Sequence, residues 1–218
     1  MTFNSVALIP VKSESNRLPN KNFRDFHGYP LFENFFRKLD DLNPFDAVFI
    51  NTDSAEVSRA AEKYEFGVIE RPEYLSKDDA NGNDLLLYDA SKIDAEYYFQ
   101  MFVTAPLLRP KTIYDCHNIL INSEEVDSIF TVENDTTWYW QDGSPLNYNP
   151  KELPRSQDVE PIYKESTGLY GISSEALKIT KCRIGNNPHL HVIDSVEAVD
   201  VDEKIDLDIA RKLYDLQE

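Results

Sequence analysis

The chain has 218 residues, and its 22 basic and 39 acidic side chains give a formal net charge of −17. This length is typical of one domain with a full hydrophobic core. The acidity argues against nucleic acid as a partner, because nucleic-acid-binding proteins present a basic face. No apolar run approaches the roughly 20 residues of a membrane-spanning helix, and no signal-peptide pattern is present. We therefore expect a cytoplasmic protein with neither a membrane nor a nucleic acid as partner.

The first predicted element is a buried strand over residues 6–9, where a short apolar run is followed by Pro10. The polar loop after this strand carries positive charge in an acidic chain, which indicates a site for an anionic ligand. The loop after the first strand is also where open α/β folds bind nucleotides. A solvated charged loop is the alternative interpretation. The two glycine-rich nucleotide-binding patterns, GxGxxG and Walker A, are both missing from this loop. The cationic side chains of the loop are Lys12, Arg17, Lys21 and Arg24.

The segments that follow alternate between buried strands and amphipathic helices, which predicts a doubly wound, mostly parallel sheet of the α/β class. A helix is predicted from Gly28 to Leu39 with Pro30 in its first turn, ended by Asn43 and Pro44. Ser54 is predicted to cap the next helix. Further strands are predicted at residues 47–50, 67–70, 97–103, 127–132 and 169–172, with a last strand ending at 199–203, and further helices at 57–64, 85–93, 113–121 and 204–216.

The order of residues in 9–22 resembles the N-terminal signature of the CMP-sugar-acid synthetases, the acylneuraminate and Kdo cytidylyltransferases. Ser13 and Glu14 replace two glycines of that signature, and glycine allows backbone N–H groups to approach phosphates closely. Asn22 is typical of the acylneuraminate branch. The matching positions are Lys12, which stands at the family's arginine, together with Ser15, Pro19, Lys21 and Asn22.

The resemblance implies roles for the side chains of this loop. Lys12, Arg17 and Lys21 are expected to be catalytic, because they would neutralise the triphosphate of CTP and the departing pyrophosphate. Three polar residues of the same loop are expected to contact the nucleotide. These are Ser13, Ser15 and Asn22.

A second segment, residues 71–84, resembles the family's nucleotide-binding segment at Arg71, Pro72, Leu75, Asp78 and Ala80. Cytosine offers an amine donor and two acceptors, which backbone carbonyls and an arginine satisfy. From the residues alone, a surface arginine paired with a neighbouring carboxylate is the alternative. The resemblance implies that cytosine is recognised by Arg71 and by the backbone of Ala80, Asn81 and Gly82.

The acceptor side is implied by two further segments. After the strand at 97–103, Thr104 matches the family, whereas Phe102 stands where the family has a glutamine beside the sugar. Residues 155–170 resemble a family segment that contains two cations. The cations of that segment, Arg155 and Lys164, are candidates for binding a substrate carboxylate, because a sugar acid needs a cation. The predicted substrate-binding set is Phe102, Thr104, Arg155 and Lys164.

Asp200 and Asp202 lie in an Asp-x-Asp pattern just before the last helix. On a strand, alternate residues point to the same side, and paired carboxylates suit Mg²⁺. The alternative is that Asp202 only caps the helix. The family ends with a similar pattern that binds the catalytic magnesium, so the resemblance implies a metal site here.

Residues 138–160 are rich in aromatic side chains, asparagine and proline. The resemblance implies that this excursion pairs with a second subunit and helps to close its sugar site, so a homodimer is expected. Exposed aromatic side chains fit such an interface. A hairpin folded onto its own domain is the alternative.

Together these segments predict one cytidylyltransferase domain over residues 1–218 with a Rossmann-like nucleotidyltransferase fold. The reaction expected is CTP plus a 2-keto sugar acid of the N-acylneuraminate type giving CMP-sugar and pyrophosphate, as in capsule or lipopolysaccharide biosynthesis. Three alternatives remain: a nucleotidylyltransferase for another anionic acceptor such as a sugar phosphate, a metal-dependent glycosyltransferase, and a non-catalytic nucleotide-binding homologue.

Overall fold

Strand β1, Phe3–Val11, lies at the centre of the sheet in the computed structural model, which describes residues 2–41, 44–77 and 79–216. The other strands are β2 Asp25–Phe26, β3 Tyr29–Pro30, β4 Ala47–Thr52, β5 Gly67–Glu70, β6 Ala95–Met101, β7 Ser128–Asp135, β8 Trp140–Gln141, β9 Ser144–Pro145, β10 Ile162–Ser173 and β11 Pro188–Ile193. The helices are α1 Leu31–Asp41, α2 Ala55–Lys63, α3 Gly82–Ala90, α4 Pro110–Asn122, α5 Ser174–Thr180 and α6 Lys204–Asp215.

Seven strands form the main sheet, in the order β11-β7-β10-β6-β1-β4-β5. Strand β1 pairs in parallel with β4 and β6, β4 with β5, and β7 with β11. Only β10 runs against its neighbours β6 and β7 among the strands of this described sheet. The mostly parallel α/β fold is therefore confirmed, and the carboxyl ends of its parallel strands meet at one edge, where such folds bind ligands.

Burial of β1 on both faces explains its continuous apolar sequence. Ile9 packs in one core cluster with residues of α1, α2 and α4, whereas Leu8 packs in a second with residues of α3 and α5. Because successive residues of a strand point to opposite faces, helices must cover both sides of the sheet. This is the doubly wound arrangement, and it leaves the edge at the carboxyl ends open.

Most predicted elements are present, but two are corrected. Residues 199–203 form no strand; Val201 is buried and donates one backbone hydrogen bond to the Thr104 carbonyl at 2.7 Å, with no ladder. The strand in this part of the chain is β11, which was not predicted. Its apolar residues Leu190 and Val192 are exposed, so its alternation of apolar and polar side chains is opposite to that of a strand with an apolar inner face. Helix α1 begins at Leu31, one residue after the predicted proline, which belongs to β3.

Smaller features agree with the sequence. The Ser54 hydroxyl accepts from the Val57 N–H and caps α2 as predicted. A turn around Gly143 joins β8 and β9 in a hairpin. The predicted helix stop at Asn43 lies outside the described residues. No helix within the described ranges is long and apolar enough to cross a bilayer.

Candidate active site

A cavity of ≈ 590 Å³ opens at the carboxyl edge of the sheet. Its wall combines the loop after β1, the loop after β5 with the start of α3, the segment after β6, β10, the loop after α5, and the segment before α6. A volume of this size is typical of sites for small ligands. Most of the residues predicted for binding or catalysis therefore converge on one place although they are far apart in sequence.

The loop after β1 contributes Lys12, Arg17 and Lys21 to the cavity wall, together with Ser15 and Asn22. Arg17 Nη1 lies 2.5 Å from Asp202 Oδ2, and Lys21 Nζ lies 3.1 Å from Asp202 Oδ1. The buried Asn22 side chain donates to the Lys12 carbonyl at 2.8 Å, which holds the loop in its path. The structure thus brings this cationic loop and the acidic pair together.

Ser13 turns away from the cavity and binds Asp53 at the end of β4. Its N–H donates to Asp53 Oδ1 at 2.8 Å and its hydroxyl to Oδ2 at 3.1 Å. Burial opposes ionisation of Asp53, but hydrogen bonds to the carboxylate, the Ser13 N–H first among them, outweigh it and lower the pKa of the carboxyl. Ser13 therefore anchors the loop, and its contact with a nucleotide stays a prediction.

Arg71 is buried in the wall and held by two hydrogen bonds to Asn51. Its Nε donates to Asn51 Oδ1 at 2.6 Å and its Nη2 to the Asn51 carbonyl at 2.9 Å. The Asn51 amide in turn donates to the buried Asp89 carboxyl. Burial lowers the pKa of Arg71 and raises the pKa of Asp89 to about 7. The side chain that the sequence assigns to cytosine is thus fixed by a chain of buried polar groups.

Ala80, just before α3, and Gly82, its first residue, lie in the cavity wall, and their contact with cytosine stays a prediction. The Asn81 side chain caps α3, accepting from the N–H groups of Asn83 and Asp84, and the contact of its backbone with cytosine stays a prediction. The buried Gln100 side chain donates to the Gly82 carbonyl at 2.9 Å. The backbone of this turn is therefore held from both sides next to Arg71.

The cavity wall also contains Phe102, Thr104, Thr167 and Arg183. Thr167 lies in β10, where the pairing with β7 is interrupted by a register shift, an irregularity that commonly re-aims side chains beside active sites. Arg183 comes from the loop between α5 and β11. Neither Thr167 nor Arg183 was predicted as a site residue. Thr167 lies in the segment 155–170, where the resemblance drew attention to the cations, whereas no motif surrounds Arg183 and the strand after it was itself missed.

The structure does not bring Arg155 and Lys164 to the cavity wall of the single chain. Arg155 Nε lies 2.7 Å from Asp158 Oδ2, and Lys164 Nζ lies 3.5 Å from Glu133 Oε2, both at exposed positions. Each cation is thus neutralised by a neighbour on the surface. Their contact with a substrate stays a prediction.

Asp200 and Asp202 both line the cavity although they are not on a strand. The hydrogen bond of Val201 to Thr104, with its buried side chain between them, sets the two carboxylates toward the same space. Asp202 does not cap α6, because Glu203 is the N-cap residue and forms a capping box with Asp206. Buried Asp200 Oδ1 has no hydrogen-bond partner among the described residues. Oxygen donors of this kind fit Mg²⁺. The described residues contain no group of three or more metal-ligating side chains.

Comparison with known proteins gives matches along the whole chain. A family model described as cytidylyltransferase matches residues 6–214. The CMP-N,N'-diacetyllegionaminic acid synthase of Legionella pneumophila is 25% identical over 98% of this chain and 97% of its own length. The 3-deoxy-manno-octulosonate cytidylyltransferase of Chlorobium limicola is 32% identical over 80% of this chain and 76% of its own.

Other relatives are longer or more distant. The N-acylneuraminate cytidylyltransferase A of Danio rerio is 25% identical over 94% of this chain, but the chain spans only 50% of that protein and 40% of two further relatives. A solved CMP:2-keto-3-deoxy-manno-octonic acid synthetase complexed with CTP has the same fold, with a TM-score of 0.72 and 18% identity over 99% of this chain and 100% of that chain.

Proposed function

Because the chain belongs to the cytidylyltransferase family, among the CMP-sugar-acid synthetases, we propose that it transfers CMP from CTP to a 2-keto sugar acid. The observation that supports this most is the arrangement of the cavity. A cationic loop, a fixed arginine beside a helix start, and a carboxylate pair face one space. These are the parts that a triphosphate, a nucleobase and a divalent cation need.

The nucleotide is proposed to lie along the β5–β4–β1 side of the cavity. Arg71 and the backbone at Ala80 and Gly82 would bind cytosine, since an arginine and carbonyl groups match its donor and acceptors. A solved relative of this fold carries CTP, which supports the same use of the cavity. The positive charge for the triphosphate comes from Lys12, Arg17 and Lys21.

In the proposed reaction, the anomeric hydroxyl of the sugar acid attacks the α-phosphorus, and the bond between the α-phosphorus and the bridging oxygen to the β-phosphorus breaks. Pyrophosphate leaves with that oxygen, and the hydroxyl proton passes to solvent. The protein contributes position and charge rather than covalent chemistry. Arg17 and Lys21 stabilise the negative charge that gathers on the leaving group.

Asp200 and Asp202 are the residues that would hold Mg²⁺. The partnerless oxygen of Asp200 and the cavity-facing position of both carboxylates support this assignment. A bound Mg²⁺ supplies Lewis-acid polarisation of the phosphates. Asp202 also orients the two cations that it contacts, Arg17 and Lys21.

The experiment is pyrophosphate release measured with CTP, UTP, ATP or GTP against sialic, legionaminic, pseudaminic and Kdo-type acids and sugar phosphates, with Mg²⁺ or with a chelator. We expect release with CTP and a 2-keto sugar acid, loss of release in the chelator, and at least about a 100-fold lower kcat in Asp202→Asn. The control is Asp208→Asn, whose carboxylate lies on α6 outside the cavity wall and should not matter.

A second candidate function keeps CTP but changes the acceptor to another anionic molecule such as a sugar phosphate. Phe102 favours this candidate, because an aromatic ring replaces the glutamine that the family places beside the sugar. Pyrophosphate release from CTP with a sugar phosphate, and with none of the 2-keto sugar acids, would support this second candidate. Binding of CTP without release from any acceptor would indicate a non-catalytic homologue.

We also propose that the protein acts as a homodimer through residues 138–160. Trp138, Trp140 and Leu153 of this excursion are exposed in the single chain. Large apolar side chains gathered on one surface segment are typical of subunit interfaces.

A further inference from the structure

The cations around the cavity are unevenly distributed. Five of those that line it among the described residues come from the β1 and β5 loops, on the side proposed for the nucleotide. Arg183, from the loop between α5 and β11, is the one further cation that the described chain contributes to the wall, and its N–H donates to Asn83 Oδ1 at 2.9 Å. The five on the nucleotide side are Lys12, Arg17, Lys21, Arg71 and Lys77.

Arg183 is held in a fixed orientation. Its guanidinium carbon lies 3.6 Å from the centroid of the Tyr170 ring, and its Nη2 donates to the Tyr170 hydroxyl and to Glu165 Oε1 at 2.9 Å each. Burial raises the pKa of Tyr170, so the hydroxyl stays protonated and donates to Glu165 at 2.5 Å. Stacking and the two hydrogen bonds therefore remove most of the rotamer freedom of the arginine.

The other terminal nitrogen of Arg183 remains available for a ligand. Within the described residues Nη1 has no hydrogen-bond partner, and the side chain is 21% exposed. Nη1 lies so close to Gly82 that a Cβ there would be 2.6 Å away. The guanidinium thus lies in the cavity wall between the start of α3 and the Tyr170 ring, whose centroid is 6.4 Å from that of Phe102.

We propose that Arg183 binds the carboxylate of the sugar-acid acceptor, an assignment that rests on the proposed function. With the nucleotide on the β5–β4–β1 side, the acceptor takes the space beside Phe102, Thr104 and Thr167. A carboxylate brought into this space needs a cation. Within the single chain, Arg183 is preset for it, whereas Arg155 and Lys164 lie outside the wall of that same chain and are paired with carboxylates.

The test compares Arg183→Gln and Arg183→Lys with the unchanged protein in steady-state kinetics, using whichever 2-keto sugar acid supports CMP transfer. Loss of a charge-assisted hydrogen bond is expected to raise the acceptor KM by about 10- to 100-fold in Arg183→Gln, with the CTP KM unchanged. Arg183→Lys should recover part of the loss. Lys178→Gln, at an exposed position of α5, is the matched control and should match the unchanged protein.

A second measurement separates a contact with the carboxylate from a general disturbance. The acceptor in which the carboxylate is replaced by a carboxamide should bind the unchanged protein as weakly as the acid binds Arg183→Gln, with no further loss when both changes are combined. Thermal unfolding of both variants shows that they are folded.

Three outcomes would overturn the assignment. An acceptor KM that stays unchanged in folded Arg183→Gln would do so, and a rise confined to the CTP KM would place the arginine on the nucleotide instead. Both outcomes leave the proposed function intact. Absence of CMP transfer to any sugar acid by the unchanged protein would instead overturn the proposed function, and the assignment with it.

Discussion

At the residue scale, the chain Asp89–Asn51–Arg71 explains how one arginine is kept in place beneath the cavity. The amide of Asn51 faces Asp89 with its nitrogen and Arg71 with its oxygen. A carboxyl group on one side therefore determines which end of the amide meets the guanidinium on the other. The cost is a carboxyl that is buried with one oxygen, Oδ2, unpartnered among the described residues.

This carboxyl should make stability depend on pH. Burial raises the pKa of Asp89 from 3.8 to about 7, so the folded protein keeps a proton in this window that the unfolded chain releases. The free energy of unfolding contributed by this group therefore falls as the pH rises through the window, by at most about 1.4 kcal/mol per pH unit.

Urea denaturation of the unchanged protein and of Asp89→Asn, at several pH values within the window, measures this contribution. The neutral variant should lose the dependence, so the stability difference between the two proteins should change steadily with pH. Glu62→Gln, at an exposed site of α2, is the control and should run parallel to the unchanged protein. A pH-independent difference for Asp89→Asn would contradict the prediction.

At the element scale, irregular segments rather than strands position the carboxylate pair. The buried Glu197 carboxylate accepts from the Arg109 N–H at 2.8 Å and from its Nη1 at 3.2 Å. These bonds tie the start of α4 to the segment before Asp200. Lys38 of α1 also holds the loop between β6 and α4, because its Nζ donates to the carbonyls of Pro106 and Leu108 at 2.6 and 2.7 Å.

We predict that Glu197→Ala lowers the free energy of unfolding by about 2 kcal/mol, because it removes the buried carboxylate that accepts from the Arg109 N–H and Nη1. Glu197→Gln keeps one acceptor oxygen and should cost less. Denaturant titration measures both, and Glu175→Ala in the exposed first turn of α5 is the control. Equal free energies of unfolding for Glu197→Ala and the control would show that the contact between Glu197 and Arg109 does not stabilise the fold.

At the scale of the whole molecule, an acidic chain of net charge −17 concentrates cations at one edge of its sheet. The remaining surface is acidic, which favours solubility. Trp138 and Trp140 of residues 138–160 are among the aromatic side chains exposed on this surface.

The proposed dimer gives a prediction at this scale. Trp138→Ser with Trp140→Ser should shift the protein from dimer to monomer in analytical ultracentrifugation, because large aromatic side chains carry much of the energy of an interface. Tyr74→Ser removes an aromatic residue that is equally exposed outside the excursion, and it should leave the mass unchanged. A monomeric unchanged protein would refute the proposed homodimer.

The sequence by itself determined the architecture and one half of the site. Buried parallel strands are apolar on both faces, so β1 and β4 were visible as short apolar runs. The next strand, β5, lies at the sheet edge and has one buried residue, Ile69. Local loops after those strands carry Lys12, Arg17, Lys21 and Arg71, because adjacent carboxyl ends of parallel strands must place their loops together.

Only the tertiary structure decided the other half. Thr167 lies on β10, which runs antiparallel to its neighbours. Arg183 lies in the loop before β11, an edge strand on which two apolar side chains face outward, so no periodic apolar pattern marks either residue. Ser13 donates to Asp53, a residue 40 positions away that only the folded sheet brings near it. The Asn81 side chain caps α3, a local role that the family motif does not specify. Contacts between segments far apart in sequence are made by the packing of the whole sheet, and no short pattern encodes them.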